Sequence, residues 1–202
     1  PRWLTRLDGP LLHWPSPGVG QLALASGTGC VVVDANTGVR LLNWDSAAAA
    51  SDSPAADSKA LYVPTLLGDR LAAIELANGA QAWELRLPAP ASGPVLRLGH
   101  EGRASVLLAT TDGWLRAVPA GIAVPPAERW TVDSGGLVGA PVVDGDRIVV
   151  ATNGHALLLI EAATGAVQHK YLPGEPLVCG PVVWRGLAMV STSQSLLAID
   201  VA

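Results

Sequence analysis

The sequence predicts an all-β chain of repeated four-stranded antiparallel units, and three observations predict it. A small residue followed by Pro recurs at Gly9-Pro10, Ser53-Pro54, Gly93-Pro94, Ala140-Pro141 and Gly180-Pro181, with the prolines 44, 40, 47 and 40 residues apart. Short apolar runs separated by Gly, Asn and Asp turns fill the intervals, and no stretch keeps a helical period beyond a turn or two. The 22 Gly and 16 Pro among 202 residues exceed ordinary usage while half the chain is hydrophobic, which means many turns around a real core rather than disorder. Self-similarity at a period of about 40 residues marks a repeat architecture.

Each element of the unit follows in order. The first strand comes directly after Pro, as in Val142-Val143 and Val182-Val183. The second is Gln21–Ala25, Ala60–Val63, Ser105–Ala109, Arg147–Ala151 or Gly186–Val190. Turns follow at Gly27-Thr28-Gly29, Gly68-Asp69, Asp112-Gly113, Asn153-Gly154 and the Gly-free Ser193-Gln194-Ser195. The third run ends in an acid in four units, Asp34, Glu75, Glu161 and Asp200, a recurrence that predicts hydrogen bonding to the adjoining turn. Those turns are Asn36-Thr37-Gly38, Ala77-Asn78-Gly79 and Ala163-Thr164-Gly165. The fourth strand carries a large aromatic: Trp44, Trp83, Trp130 or Tyr171, with Trp3 standing alone at the front. Where the turn glycine is clear the aromatic follows it by four or six residues, which puts it on one face throughout because strands alternate with period two. Ala47–Ala50 reads as a loop, and Asp144-Gly145-Asp146 reads as a hairpin turn.

Four short strands per repeat, joined by such turns, predict a β-propeller. One domain over 1–202 is expected, with blades near 8–47, 48–87, 88–133, 134–174, and 175–202 completed by 1–7. Pairing of the Trp3 strand with the last blade would close a five-bladed ring; the alternative is a five-repeat part of a seven- or eight-bladed one. Val33-Asp34-Ala35-Asn36-Thr37-Gly38 with Trp44, and Ile160-Glu161-Ala162-Ala163-Thr164-Gly165 with Tyr171, resemble the pyrroloquinoline-quinone-type (PQQ-like) propeller repeat and its tryptophan-docking motif. The third unit departs from it: Val118-Pro119-Ala120-Gly121 replaces the acid-Thr-Gly turn, nine residues separate Gly121 from Trp130, and a longer outer loop through Pro125-Pro126 is expected. The resemblance implies that Trp3, Trp44, Trp83, Trp130 and Tyr171 dock neighbouring blades, each large ring burying about 200 Å². Trp14, Trp114 and Trp184 lie off that position and are candidate partner contacts.

Composition removes several functions. Thirteen Lys and Arg against 17 Asp and Glu, without a basic run, exclude a phosphate-tracking surface, so no nucleic-acid partner is expected. No apolar stretch is long enough for a transmembrane segment. Pro1 opens the chain without Met, so a processed form or a piece of a longer protein is expected and a missing targeting signal decides nothing. Cys30 and Cys179 form no CxxC and read as isolated thiols. His13, His100, His155 and His169 show no metal-ligand spacing, so no metal is expected. Quinone enzymes that the repeat resembles cap their cofactor with a vicinal disulfide, and this chain has no Cys-Cys pair, so no cofactor residue carries over and no cofactor is expected.

Two carboxylates facing the axis would serve a glycoside hydrolase. Asp8, Asp52, Asp57, Asp144, Asp146 and Glu175 are the acids near first strands, and they form no evident pair. The reading is therefore a non-enzymatic propeller that acts as a protein-interaction scaffold or sensor domain, its partner another protein or a covalently linked domain. The alternatives are a small-ligand or carbohydrate binder and, less favoured, the hydrolase. The family resemblance favours a periplasmic or other extracytoplasmic setting.

Overall fold

A computed structural model describes residues 2–45, 50–65, 69–99, 104–123 and 127–201. Among the described residues nineteen strands form five antiparallel sheets, each built from consecutive strands. Sheet 1 is β1 (Ser16–Pro17), β2 (Gln21–Ser26), β3 (Gly29–Asp34) and β4 (Arg40–Asp45). Sheet 2 is β5 (Ala55–Ala56), β6 (Ala60–Pro64), β7 (Arg70–Glu75) and β8 (Gln81–Arg86). Sheet 3 is β9 (Leu96–Leu98), β10 (Ser105–Ala109), β11 (Trp114–Pro119) and β12 (Trp130–Asp133). Sheet 4 is β13 (Val142–Asp144), β14 (Arg147–Ala151), β15 (Leu157–Glu161) and β16 (Val167–Tyr171). Sheet 5 has three strands, β17 (Val182–Trp184), β18 (Leu187–Ser191) and β19 (Leu196–Asp200). The described residues contain no helix that is long and apolar enough to cross a membrane.

The core lies between sheets. Alternation sends one set of side chains from each middle strand to the preceding sheet and the other set to the following one. Ala23, Ala25, Cys30 and Val32 thus pack on Leu61, Val63, Ala72 and Ile74 across the first seam. Tyr62, Leu71 and Trp83 meet Val106, Leu108 and Val118 across the second. Leu107 and Leu115 meet Ile148, Val150 and Leu158 across the third, and Val149, Leu157 and Leu159 meet Ala188 and Val190 across the fourth. Full burial of each Val or Leu contributes about 1.5–3 kcal/mol, so each seam holds its two sheets together by several buried side chains.

Two details of the repeat differ from the sequence reading. The inner strand of sheet 1 follows Trp14-Pro15, not Gly9-Pro10. Gly9-Pro10 instead precedes Leu11, whose bridge to Ser26 matches the Ala50–Thr65, Ala91–Thr110, Leu137–Thr152 and Leu177–Thr192 bridges of the other units. In addition, β4, β8 and β16 each carry one extra residue opposite the third strand, after Arg40, Gln81 and Val167. Such a bulge re-aims the side chains beyond it.

The pairing expected to seal a five-bladed ring is not found among the described residues. Residues 2–7 form no strand with β19 and lie on sheet 1, where Trp3 and Leu7 cover Leu24, Val31 and Val33. Asp144-Gly145-Asp146 does form the β13–β14 hairpin turn, with Gly145 at φ +58°. Residues 47–49, Gly68, His100 and Pro125-Pro126, which include most of the expected loop at 47–50 and the outer loop of the third unit, lie outside the described residues.

Candidate functional site

The turn after each third strand is built by its acid. The Asp34 Oδ1 atom accepts hydrogen bonds from the amides of Asn36 (2.9 Å) and Thr37 (2.8 Å) and from the Thr37 hydroxyl (2.9 Å). The Thr37 amide, then its hydroxyl, hold the Asp34 carboxyl below the usual range. Asn78 donates to Glu75 and Thr164 donates to Glu161 in the matching turns. Each turn closes on a glycine with positive φ, which receives a side chain from the preceding unit. A Cβ on Gly165 would lie 2.7 Å from the Trp130 ring, and one on Gly38 would lie 2.6 Å from the Trp3 ring. Only glycine admits both the φ of +72° to +76° and that approach.

The indoles finish the contact by donating to turn carbonyls: Trp3 to Ala35 (3.1 Å), Trp83 to Gly121 (2.8 Å) and Trp130 to Ala162 (3.1 Å). Trp44 and Tyr171 stand one pleat further along their strands. The ladders pair Val32 with Leu42, Ala73 with Trp83, Ala117 with Trp130 and Leu159 with His169. Leu42 therefore occupies the position of Trp83 in sheet 1, and its Cδ1 faces Gly79. Trp44 packs against the first seam. Tyr171 donates its hydroxyl to the Asp200 carbonyl at 3.3 Å, with its ring 6.1 Å from that of His169.

The second seam also holds a polar cluster. Tyr62 donates to Asp57 Oδ2 at 2.7 Å and accepts from the Gly121 amide at 2.6 Å, while Asp57 Oδ1 accepts from the amides of Lys59 and Ala60. Burial first, and then Asp57, raise the Tyr62 hydroxyl well above the usual range. A cleft of about 340 Å³ opens beside this cluster, lined by Asp57, Lys59, Arg97 and Arg129 among others. Asp57 is thus committed to the turn, Asp8 to Arg40 (2.7 Å) and Glu175 to the Thr192 hydroxyl (2.5 Å), and the structure does not bring these acids together as a pair.

The candidate contact tryptophans separate. Trp114 is half-buried at the start of β11, whereas Trp184 is 57% exposed and Trp14 is 87% exposed. The residue before the proline that starts each inner strand is Ser53, Gly93, Ala140 or Gly180 in the later units and Trp14 in the first. At Gly180 small size is needed, since a Cβ there would meet the Ala140 carbonyl at 3.1 Å. Trp14 departs from it and lines an open cleft of about 380 Å³ with Leu11, Leu12, His13, Asp52 and Ser53.

A quinone cofactor does not fit the described residues. Cys30 is sealed in the first seam, where burial pushes its thiol up to about 12, and Cys179 lies exposed in the loop before β17. The inner strands offer mainly Ser-Pro, Ala-Ala, Leu-Arg-Leu, Val-Val-Asp and Val-Val-Trp, with Arg97 turned onto the Gly99 carbonyl.

Five consecutive antiparallel sheets stacked face to face define a β-propeller, and known structures agree with that class. Over 98% of this chain and 61% of the other, the fold is similar to BamB from Moraxella catarrhalis, at 16% identity and a TM-score of 0.71. Quinohemoprotein alcohol dehydrogenase ADHIIG from Pseudomonas putida HK5 is similar over 97% and 41% of the two chains, at 14% identity and a TM-score of 0.65. BBS1N, solved in complex with ARL6DN, is similar over 89% and 61%, at 12% identity and a TM-score of 0.61. The chain thus spans less than two thirds of the length of each. Residues 123–202 match the family model described as outer membrane protein assembly factor BamB, and no curated protein sequence matches the chain. Residues 123–202 thus resemble the repeats of that family, and over the rest of the chain the solved structures show the propeller fold.

Proposed function

We propose that this propeller is a non-catalytic scaffold that binds a protein partner through the loop of residues 11–14, with Trp14 as the anchor. The observation that carries this reading is an 87% exposed Trp at a position where the other four units carry a small residue. The loop that presents it is tied down: Leu12 N–H donates to Ala25 O (3.0 Å), Gly27 N–H to Pro10 O (3.1 Å), and the Ser53 hydroxyl to Trp14 O (3.1 Å). A rigid aromatic needs little ordering on binding, and Leu11 and Leu12, both nearly half exposed, extend the apolar patch around it. The assembly-factor family model and the similarity to a propeller solved in complex with another protein support a partner of this kind.

The test is a photo-crosslinking residue at position 14 in the native cell, followed by titration of the captured protein with purified chain. Trp14→Ala is expected to weaken that binding about 30-fold, the effect of losing a hot-spot aromatic worth about 2 kcal/mol. Binding unchanged within about twofold would remove Trp14 as the anchor. Micromolar calorimetric binding of a sugar, lost in the same variant, would move the site to the ligand-binding class.

A further inference from the structure

Three departures from the repeat converge on the second seam. One inner-strand position is apolar in four units, paired as Pro17–Leu22, Ala56–Leu61, Val143–Ile148 and Val183–Ala188, but in sheet 3 it is Arg97, paired with Val106. Val106 packs in the second seam, so Arg97 lies on the face of sheet 3 that is turned to sheet 2. The acid that ends the third strand elsewhere, Asp34, Glu75, Glu161 or Asp200, is replaced in sheet 3 by Pro119 at the same register. Across the seam, Tyr62 stands where the other units carry Ala23, Leu107, Val149 and Met189. The seam therefore gains an arginine and a phenol and loses a carboxylate.

We propose that the cleft of about 340 Å³ at this seam binds a small oxyanion, a carboxylate or phosphate group carried by a small molecule, with Arg97 as its anchor. Lys59, Arg97 and Arg129 line the cleft against one carboxylate, Asp57. Both Asp57 oxygens already accept hydrogen bonds, Oδ1 from the Lys59 and Ala60 amides and Oδ2 from the Tyr62 hydroxyl. An acid at Pro119, close to Ala120 and Gly121 in the wall, would have cancelled a second cation. The Tyr62 hydroxyl donates to Asp57 and accepts from the Gly121 amide, which ties the two walls together before a ligand arrives. Arg97 spends Nη1 on the Gly99 carbonyl at 2.9 Å, and its buried Nε has no partner among the described residues. Turning that Nε–H and a neighbouring Nη–H onto an oxyanion satisfies it, and this fork suits carboxylate and phosphate. The volume lies at the small end of the roughly 300–1,000 Å³ usual for ligand sites, which favours a compact anion. The cleft shares no lining residue with the one beside Trp14, so each is tested without the other.

The test is isothermal titration calorimetry of the whole chain in low-chloride buffer, with succinate and inorganic phosphate as separate probes. Wild type is expected to bind one equivalent of at least one probe with a Kd of about 1 mM or below, and the tighter probe tells which group the ligand carries. Arg97→Val installs the residue of sheets 4 and 5, and is expected to keep the fold while weakening binding about ten-fold or more. Lys59→Gln, an exposed substitution, should weaken it about three-fold. Arg86→Gln, exposed and outside the cleft, should leave it unchanged within about 1.5-fold. Two results would overturn the proposal: no saturable heat with either probe up to about 10 mM, or binding that Arg97→Val leaves unchanged within about twofold. If Arg97→Val lowers the melting temperature, Arg97→Met keeps the length of the side chain without its charge and gives the same comparison.

Discussion

Replacing Trp83 by Ala removes the side chain that joins sheets 2 and 3. The ring is 4% exposed, lies 6.1 Å from the Tyr62 ring and donates to Gly121 O at 2.8 Å. Losing about 200 Å² of buried aromatic surface at ~25 cal/mol per Å² sets a ceiling of about 5 kcal/mol. Measured Trp-to-Ala changes in cores cost about 3–5 kcal/mol, with the cavity included. For a chain of this size each kcal/mol lowers the melting temperature by about 2–4 °C, so a fall of roughly 6–20 °C is expected. Trp83→Phe keeps most of the packing and loses the N–H, and should cost about 1–2 kcal/mol because a half-buried carbonyl is left without its donor. The assay is urea unfolding followed by far-UV circular dichroism, which does not depend on the indole being removed. Exposed Trp14→Ala serves as the comparison and should change stability by no more than about 0.5 kcal/mol. If Trp83→Ala proved no more damaging than Trp14→Ala, the seam would not hold the sheets together as described.

Three further outcomes follow from the same geometry. Tyr62→Phe strands the Gly121 amide and one Asp57 oxygen and should cost about 1–3 kcal/mol in urea melts. Because the folded Tyr62 value is raised, its contribution is complete below the ordinary tyrosine value of about 10 and is lost as pH rises beyond it; melts of wild type and Tyr62→Phe above that pH should converge. A thiol reagent should label one cysteine per native chain, Cys179, and two after unfolding, because burial pushes Cys30 to about 12 while the Ser191 hydrogen bonds lower Cys179; peptide mapping checks the site. Arg116 joins Thr110, Asp112 and Glu128 inside sheet 3, and Arg116→Met should cost about 2 kcal/mol. That is less than a fully buried pair, since both carboxylates remain about one third exposed to water.

Strand positions were legible because their punctuation is chemical. The acid-Thr-Gly turn needs a carboxylate to gather amides and a glycine to admit the docking ring, so Asp34 to Gly38 and Glu161 to Gly165 announce themselves. The docking residue was less legible. A search for aromatics selects Trp44 and Tyr171, whereas the bulged ladder puts Leu42 and His169 opposite Val32 and Leu159. The contact asks for a side chain that fills the groove over the turn, and several residue types meet that demand. The first inner strand was misplaced for a related reason: a pattern of small residue then Pro cannot find a unit in which Trp14 stands at the small position. The Ser or Thr at the end of each second strand or just after it (Ser26, Thr65, Thr110, Thr152, Thr192) is less legible, although its position recurs in all five units. Its signal is a polar residue closing an apolar run, which reads as an ordinary strand end until the bridge to the preceding loop is seen.

Stacking also separates two kinds of exposed apolar residue that composition cannot tell apart. In a repeat where sheets 2, 3 and 4 bury both faces of their middle strands, the register assigns each exposed side chain a counterpart in other units. Leu196 has Leu157 as its counterpart, buried in the fourth seam, so its exposure is a stacking demand left unmet by the described chain. Trp14 has Ser53, Gly93, Ala140 and Gly180 as counterparts, none of which supplies a large apolar side chain to a seam. Stacking therefore does not explain Trp14, and its exposure calls for something outside the repeat. The same comparison leaves Trp184 with the first group, because it extends the face that carries Leu196 and Val182. Tryptophan in this chain thus divides by position: Trp3, Trp44, Trp83 and Trp130 pack at seams or turns, Trp114 is half-buried on β11, and Trp14 and Trp184 stand exposed, Trp14 at a position where the repeat does not require it.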